Sequence, residues 1–122
     1  MDLKKDNKIL KTSISEDGIF FLTLNDPHNH NALSEEMMIN IQSALDESVN
    51  NNKIRVIIIS ADGPTFSSGH NLKELTIARK STDKGKEYFQ KVMGKCSKLM
   101  QTIVNNPKPV IAEVAGVATA AG

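Results

Sequence analysis

Two places in this 122-residue chain run from an apolar stretch straight into small residues. "VIIIS" leads into "ADGPTFSSGHNL", and "PVIAEV" leads into "AGVATAAG". Small residues leave backbone N–H groups unshielded, so a ligand can approach the main chain closely. Two such groups converging from different loops stabilise an oxygen that gains negative charge during a reaction, as in acyl chemistry. The ends of parallel strands in an open α/β sheet are where ligands bind, so both loops are expected on one rim. If a helix continues from Ala121, its N-terminus adds a favourable partial positive charge there. The plainer alternative is a pair of ordinary strand-to-helix loops. Neither loop matches the GxGxxG spacing of dinucleotide sites or the GxxxxGK[ST] spacing of phosphate loops.

Three other residue groups invite a chemical reading. His70, in the first loop, is a candidate general base by residue type. His28 and His30, two apart in a loop, suggest a metal pair, but no third ligand of suitable spacing accompanies them and no metal is expected. The single Cys96 falls in a helical apolar pattern, where a buried thiol is expected rather than a nucleophile.

The elements that must position these residues alternate between the two periods of regular structure. "KILKTSI" and "GIFFLTL" flank the turn signal Glu16-Asp17-Gly18 and predict a hairpin. "NDPHNHNAL" predicts a loop. Ser34 predicts an N-cap, with Glu35 and Glu36 in the first turn and Met37, Ile41, Ala44 and Leu45 at helical spacing, Met38 and Val49 widening the stripe. "IRVIIIS" is a short β-branched run, apolar on both faces, and predicts a central strand of a largely parallel sheet. "LKELTIARK" predicts a short helix. From about Lys84, the residues Phe89, Val92, Met93, Cys96, Met100 and Ile103 predict a longer one, stopped by Pro107 and Pro109. "PVIAEVAG" predicts a second buried strand. The order ββαβααβ implies an α/β layered domain with right-handed crossovers and helices covering the sheet.

The length suits one core and one domain over residues 1–122. Fifteen Lys and Arg against 14 Asp and Glu, interspersed, leave a formal charge of +1. That balance gives no electrostatic footprint for nucleic acid or a membrane surface, and neither partner is expected. The opening "MDLKKDNKILKTS" has no apolar core of a signal peptide, and its two Asp argue against a transit peptide. No run approaches the ~18 apolar residues of a membrane span. A cytoplasmic location is expected, and the lone cysteine suits a reducing compartment.

From about Ile19 onward the chain resembles the crotonase superfamily, the enoyl-CoA hydratase and isomerase family. "NDPHNHNALSEEM", "IRVIIISADGPTFSSGHNLKEL" and "NPKPVIAEVAGVATAAG" arrive in the family's order and with its spacing. The resemblance implies a crotonase-like α/β spiral of repeated ββα units, here an incomplete N-terminal portion, and an acyl-CoA thioester as ligand. It implies no separate cofactor, since coenzyme A enters as part of the substrate. One oxyanion N–H falls on His70 and the other on Ala121. The CoA moiety is expected against His30, Asn31, Ala32 and Leu33, then Ser68, Asn71, Leu72 and Lys73, with Lys73 suited by charge to a phosphate.

The chain also departs from the family's pattern. Asn71 stands where Asp is usual, His30 where Lys or Arg is frequent, and Ala121 where many relatives carry Gly. The position matching His70 contributes its backbone, which argues against its imidazole as the base. Hydratase members use two carboxylates, and both are expected beyond Gly122. Relatives form trimers and hexamers through an interface expected to lie largely outside this stretch, so no assembly is carried over.

Three readings follow. The first is the N-terminal part of an acyl-CoA enzyme that stabilises a thioester enolate, with hydratase or isomerase chemistry. The second is a truncated, non-catalytic relative that at most binds CoA or needs a partner to fold. The third, a generic nucleotide-binding domain, lacks any phosphate motif. A chain ending at Gly122 is further expected to leave the face of "PVIAEV" uncovered and prone to aggregation.

Overall fold

The computed structural model describes residues 5–6 and 9–122. Leu10–Ile14 (β2) and Ile19–Leu24 (β3) pair antiparallel as the predicted hairpin, and Lys5–Asp6 (β1) adds a short outer strand against β2. Val56–Ala61 (β4) lies parallel to β3, and Val110–Ala112 (β6) lies parallel to β4, giving the order β1-β2-β3-β4-β6. Parallel neighbours need long crossovers. The first is the helix Glu35–Val49 (α1). The second holds Leu72–Ala78 (α2) and Lys86–Asn105 (α3).

Strand alternation decides where the core sits. Phe20, Leu22 and Leu24 of β3 are buried, as are Ile57 and Ile59 of β4. They join Met37, Ile41 and Leu45 of α1 and Val92, Cys96 and Leu99 of α3 in one apolar cluster. Each fully buried aliphatic side chain contributes roughly 1.5–3 kcal/mol. Met93, expected on the inner stripe of α3, is largely exposed, and Leu99 takes a buried place instead.

Two strand expectations need correction. β4 is not buried on both faces: its other face, with Val56 and Ile58, is only half-buried. The helices lie on one side of the sheet, and only the residues facing them are fully covered. "PVIAEVAG" is not a buried strand. β6 has three residues, and Ile111 is 51% exposed, because β6 is the end strand of the sheet with no strand beyond it among the described residues. The exposed apolar face expected for this segment is present, carried by Ile111 and Val114.

The helix ends follow local chemistry. Ser34 Oγ accepts the Met37 N–H at 3.1 Å, the predicted N-cap of α1. At the other end of α1, Lys108 Nζ donates to the Ser48 and Asn51 carbonyls, satisfying acceptors that the helix leaves open. The segment that stops α3 therefore also ties down the end of α1.

Candidate functional site

The two small-residue loops are joined by a strand pair that has no clear sequence period. Thr65–Ser67 (β5) and Val117–Ala118 (β7) pair in parallel, with Thr65 opposite Val117 and Ser67 opposite Ala118. Thr119 N–H then donates to the Ser67 carbonyl at 3.1 Å. "GVATAAG" is thus a two-residue strand followed by a turn, closed by the Gly122 N–H on the Thr119 carbonyl at 2.8 Å.

The "NAL" segment is laced to the first loop just as closely. Leu33 N–H donates to the Gly69 carbonyl at 2.6 Å, and Ser68 N–H to the His30 carbonyl at 3.1 Å. Asn31 is the organiser. It is 0% exposed, and its Nδ2 donates to the carbonyls of Asp62 at 2.9 Å and Thr65 at 2.8 Å. Its Oδ1 accepts the Asp26 N–H at 2.7 Å, and its own carbonyl accepts Ser67 Oγ at 2.8 Å. His30 and Asn31 both take left-handed φ, 54° and 51°. Asn tolerates that region better than most residues.

The loops meet at Gly69. Its φ is +89°, and a Cβ there would stand 3.1 Å from the Ala121 nitrogen and 2.9 Å from Ala120 Cβ. Glycine is required both for the φ and for the close approach. The residues after it and across from it are His70 and Ala121. Among the described residues, neither of their N–H groups donates a hydrogen bond. The left-handed φ of the second loop, 51°, falls on Ala120 and leaves Ala121 outside that region.

His30, Ala32, Ser68, His70, Asn71, Leu72 and Lys73 line one groove of about 590 Å³. Asn31 and Leu33, grouped with them from the sequence, are buried and do not line it. Ala121 and Leu33 instead line a separate apolar cavity of about 190 Å³. Asn71 touches the groove, but its Oδ1 caps α2 by accepting the N–H groups of Lys73 at 3.0 Å and Glu74 at 3.1 Å. Asn and Asp serve equally as N-caps, so Asn71 fills that role as an Asp would.

The sequence reading missed His28, Asn29, Leu75 and Ala120, which also line the groove. The available signal for His28 was its position two residues before His30, weighed only as a metal pair. Among the described residues no group of three His, Cys, Asp or Glu side chains is placed to hold a metal ion. Cys96 is buried in the helix core, and burial pushes its thiol up from the ordinary range, away from nucleophile chemistry.

Comparison with known proteins agrees with this architecture. The enoyl-CoA hydratase/isomerase family model matches residues 15–122, and the chain belongs to that family. Human (Homo sapiens) enoyl-CoA hydratase domain-containing protein 3, mitochondrial, is 48% identical over 106 residues, which are 87% of this chain and 33% of the human protein. The crystal structure of the human protein superposes with a TM-score of 0.82 at 43% identity, over 93% of this chain and 42% of that one. A Mycobacterium smegmatis enoyl-CoA hydratase structure gives 0.86 at 37% identity, over 95% and 43%. The fold is accordingly the crotonase α/β fold, and the chain spans about a third of the length of the human relative.

Proposed function

We propose that this chain binds an acyl-CoA thioester and stabilises its enolate, as a part of an enoyl-CoA hydratase or isomerase. The thioester oxygen takes the N–H groups of His70 and Ala121. The CoA portion lies along the groove beside His30, Ala32, Ser68, Leu72 and Lys73. When a base takes the α-proton, water or buffer serving for an acidic β-ketoacyl thioester, the C–H electron pair moves toward the carbonyl and the oxygen gains the negative charge. Two fixed N–H donors favour that charged state over the neutral thioester, which is the differential binding that catalysis requires. The observation that carries this reading is the close approach of the two loops at Gly69 and Ala121, whose flanking N–H groups have no partner among the described residues.

Acetoacetyl-CoA tests it, because its enolate absorbs in the near ultraviolet. Binding to the full chain should raise the enolate band above that of the same ligand in buffer, and CoA without an acyl group should bind without the band. Binding with no gain in enolate, or no binding at all, would overturn the proposal. The cytoplasmic location expected from the sequence differs from that of the human relative, which is named mitochondrial. Fractionation of source cells separates the two.

A further inference from the structure

The chain has three histidines, and all three line the groove. His28 and His30 come from the turn after β3, and His70 from the loop after β5. The hydrogen bonds of His30 with Ser68 and of Leu33 with Gly69 fix these two segments against each other. Lys73 of α2 adds a permanent positive charge to the same wall, and no Asp or Glu among the described residues lines it.

The nearby acids face elsewhere. Asp26, Glu36 and Glu74 line a separate hollow, divided from the groove by Asn29 and Asn71, which touch both. Asp26 accepts Asn29 Nδ2 at 3.0 and 3.2 Å. Glu74, from α2, is turned to the Glu35 N–H at 3.2 Å and to Tyr88 Oη at 3.2 Å. Every ionisable group on the groove wall, among the described residues, is therefore a base.

Resting on the acyl-CoA reading, we infer that His28 and His30 make their end of this groove a proton-sensitive cradle for the phosphate-bearing nucleotide end of CoA. Histidine is the side chain that changes charge between about pH 5 and 8. A protonated imidazole offers a phosphate both a positive charge and a second N–H donor. Lys73 supplies an attraction to phosphate that does not depend on a histidine. The histidines' share in holding the ligand is then larger on the acid side and smaller on the alkaline side.

The test is calorimetric binding to the full chain at pH 8, 7 and 6, using adenosine 3′,5′-bisphosphate, inorganic phosphate and phosphate-free pantetheine. A phosphate monoester takes up a proton near pH ~6, which weakens binding in acid. The quantity read is therefore the ratio of wild-type affinity to that of the His28→Asn/His30→Asn variant at each pH. Both side chains are exposed, and an unchanged thermal midpoint shows that the variant folds. The ratio for the bisphosphate should rise about tenfold from pH 8 to pH 6, as expected when two imidazoles become charged hydrogen-bond donors to phosphate. Lys73→Ala should lower affinity at every pH and keep the slope, and pantetheine should show no slope.

A ratio that stays flat while CoA still binds would overturn the proton-sensitive cradle and leave the acyl-CoA reading standing. No binding of CoA or of an acyl-CoA at any pH would remove both. Inorganic phosphate binding as tightly as the bisphosphate would overturn the assignment to the nucleotide end of CoA.

Discussion

Gly69 lies so close to Ala121 across the two loops that a Cβ on Gly69 would stand 3.1 Å from the Ala121 nitrogen, which leaves no room for a side chain. Gly69→Ala would place a methyl group between the loops at a φ that costs an L-residue about 1–2 kcal/mol. The thermal midpoint should fall by an amount equivalent to about 1–3 kcal/mol. Enolate formation from acetoacetyl-CoA should be lost even where CoA itself still binds. A variant that keeps the enolate band would show that the loop contact is not what orients the two N–H groups.

Asn31 supports the site from behind rather than from within. It is fully buried and satisfies two carbonyls and one N–H from three different positions of the loops. Asn31→Ala strands those groups, at about 1–3 kcal/mol for each that water cannot reach. Asn31→Asp keeps the shape but sets an acceptor against the carbonyls of Asp62 and Thr65, and should be at least as damaging. Chemical denaturation of both variants checks the order, and wild-type stability in Asn31→Asp would refute it.

Features set within a few residues are legible in the sequence. The turn at Gly18, the cap at Ser34 and the stop at Pro107 each depend on chemistry next door in the chain. Asn31 is not legible in this way, because its partners lie 31 and 34 residues away and its neighbours make it look like one more polar loop residue. The β5–β7 pair escapes notice because strands of three and two residues carry no period. β6 reads as buried because burial depends on what lies beside a strand, and its own composition does not report that it is an end strand. The groove residues His30, Ser68, Leu72 and Lys73 follow from the family's spacing, whereas His28 is found only once the turn's shape is known.

The open sheet face separates two isoleucines of the same strand region. Phe21 lies opposite Ile58, and Ile58 opposite Ile111, forming an apolar row on the side away from the helices. Ile57, one residue along, is 0% exposed on the helix side. Ile111→Thr keeps a β-branched residue and should change stability by no more than about 0.5 kcal/mol, while lowering hydrophobic dye binding and self-association. Ile57→Ala should cost about 2–5 kcal/mol. Equal costs for the two would contradict the one-sided burial of the sheet.

Tyr88 reports on the position of α2 without interference from other chromophores. It is the single tyrosine of a chain without tryptophan, so the phenolate band reports it alone. Its hydroxyl donates to Glu74 Oε2 at 3.2 Å, and Glu74 also accepts the Glu35 N–H, which joins α3 to α2 and to the start of α1. Burial, followed by the charges of Glu74 and Glu35, pushes the phenol up to about 12 from 10.0. The folded state then keeps a proton that the unfolded chain gives up. The resulting stability is fully present below about pH 10 and is lost as pH rises through about 12. Lysines titrate in the same window, so the informative quantity is the difference between wild type and Tyr88→Phe. That variant should lose about 0.5–1.5 kcal/mol at neutral pH with the hydrogen bond, and should lose less further stability than wild type between pH 10 and 12. A phenolate midpoint at the ordinary value in the folded protein would show that Tyr88 does not meet Glu74, and that α2 is joined to the start of α1 through the Glu35 N–H but not to α3 through this hydrogen bond.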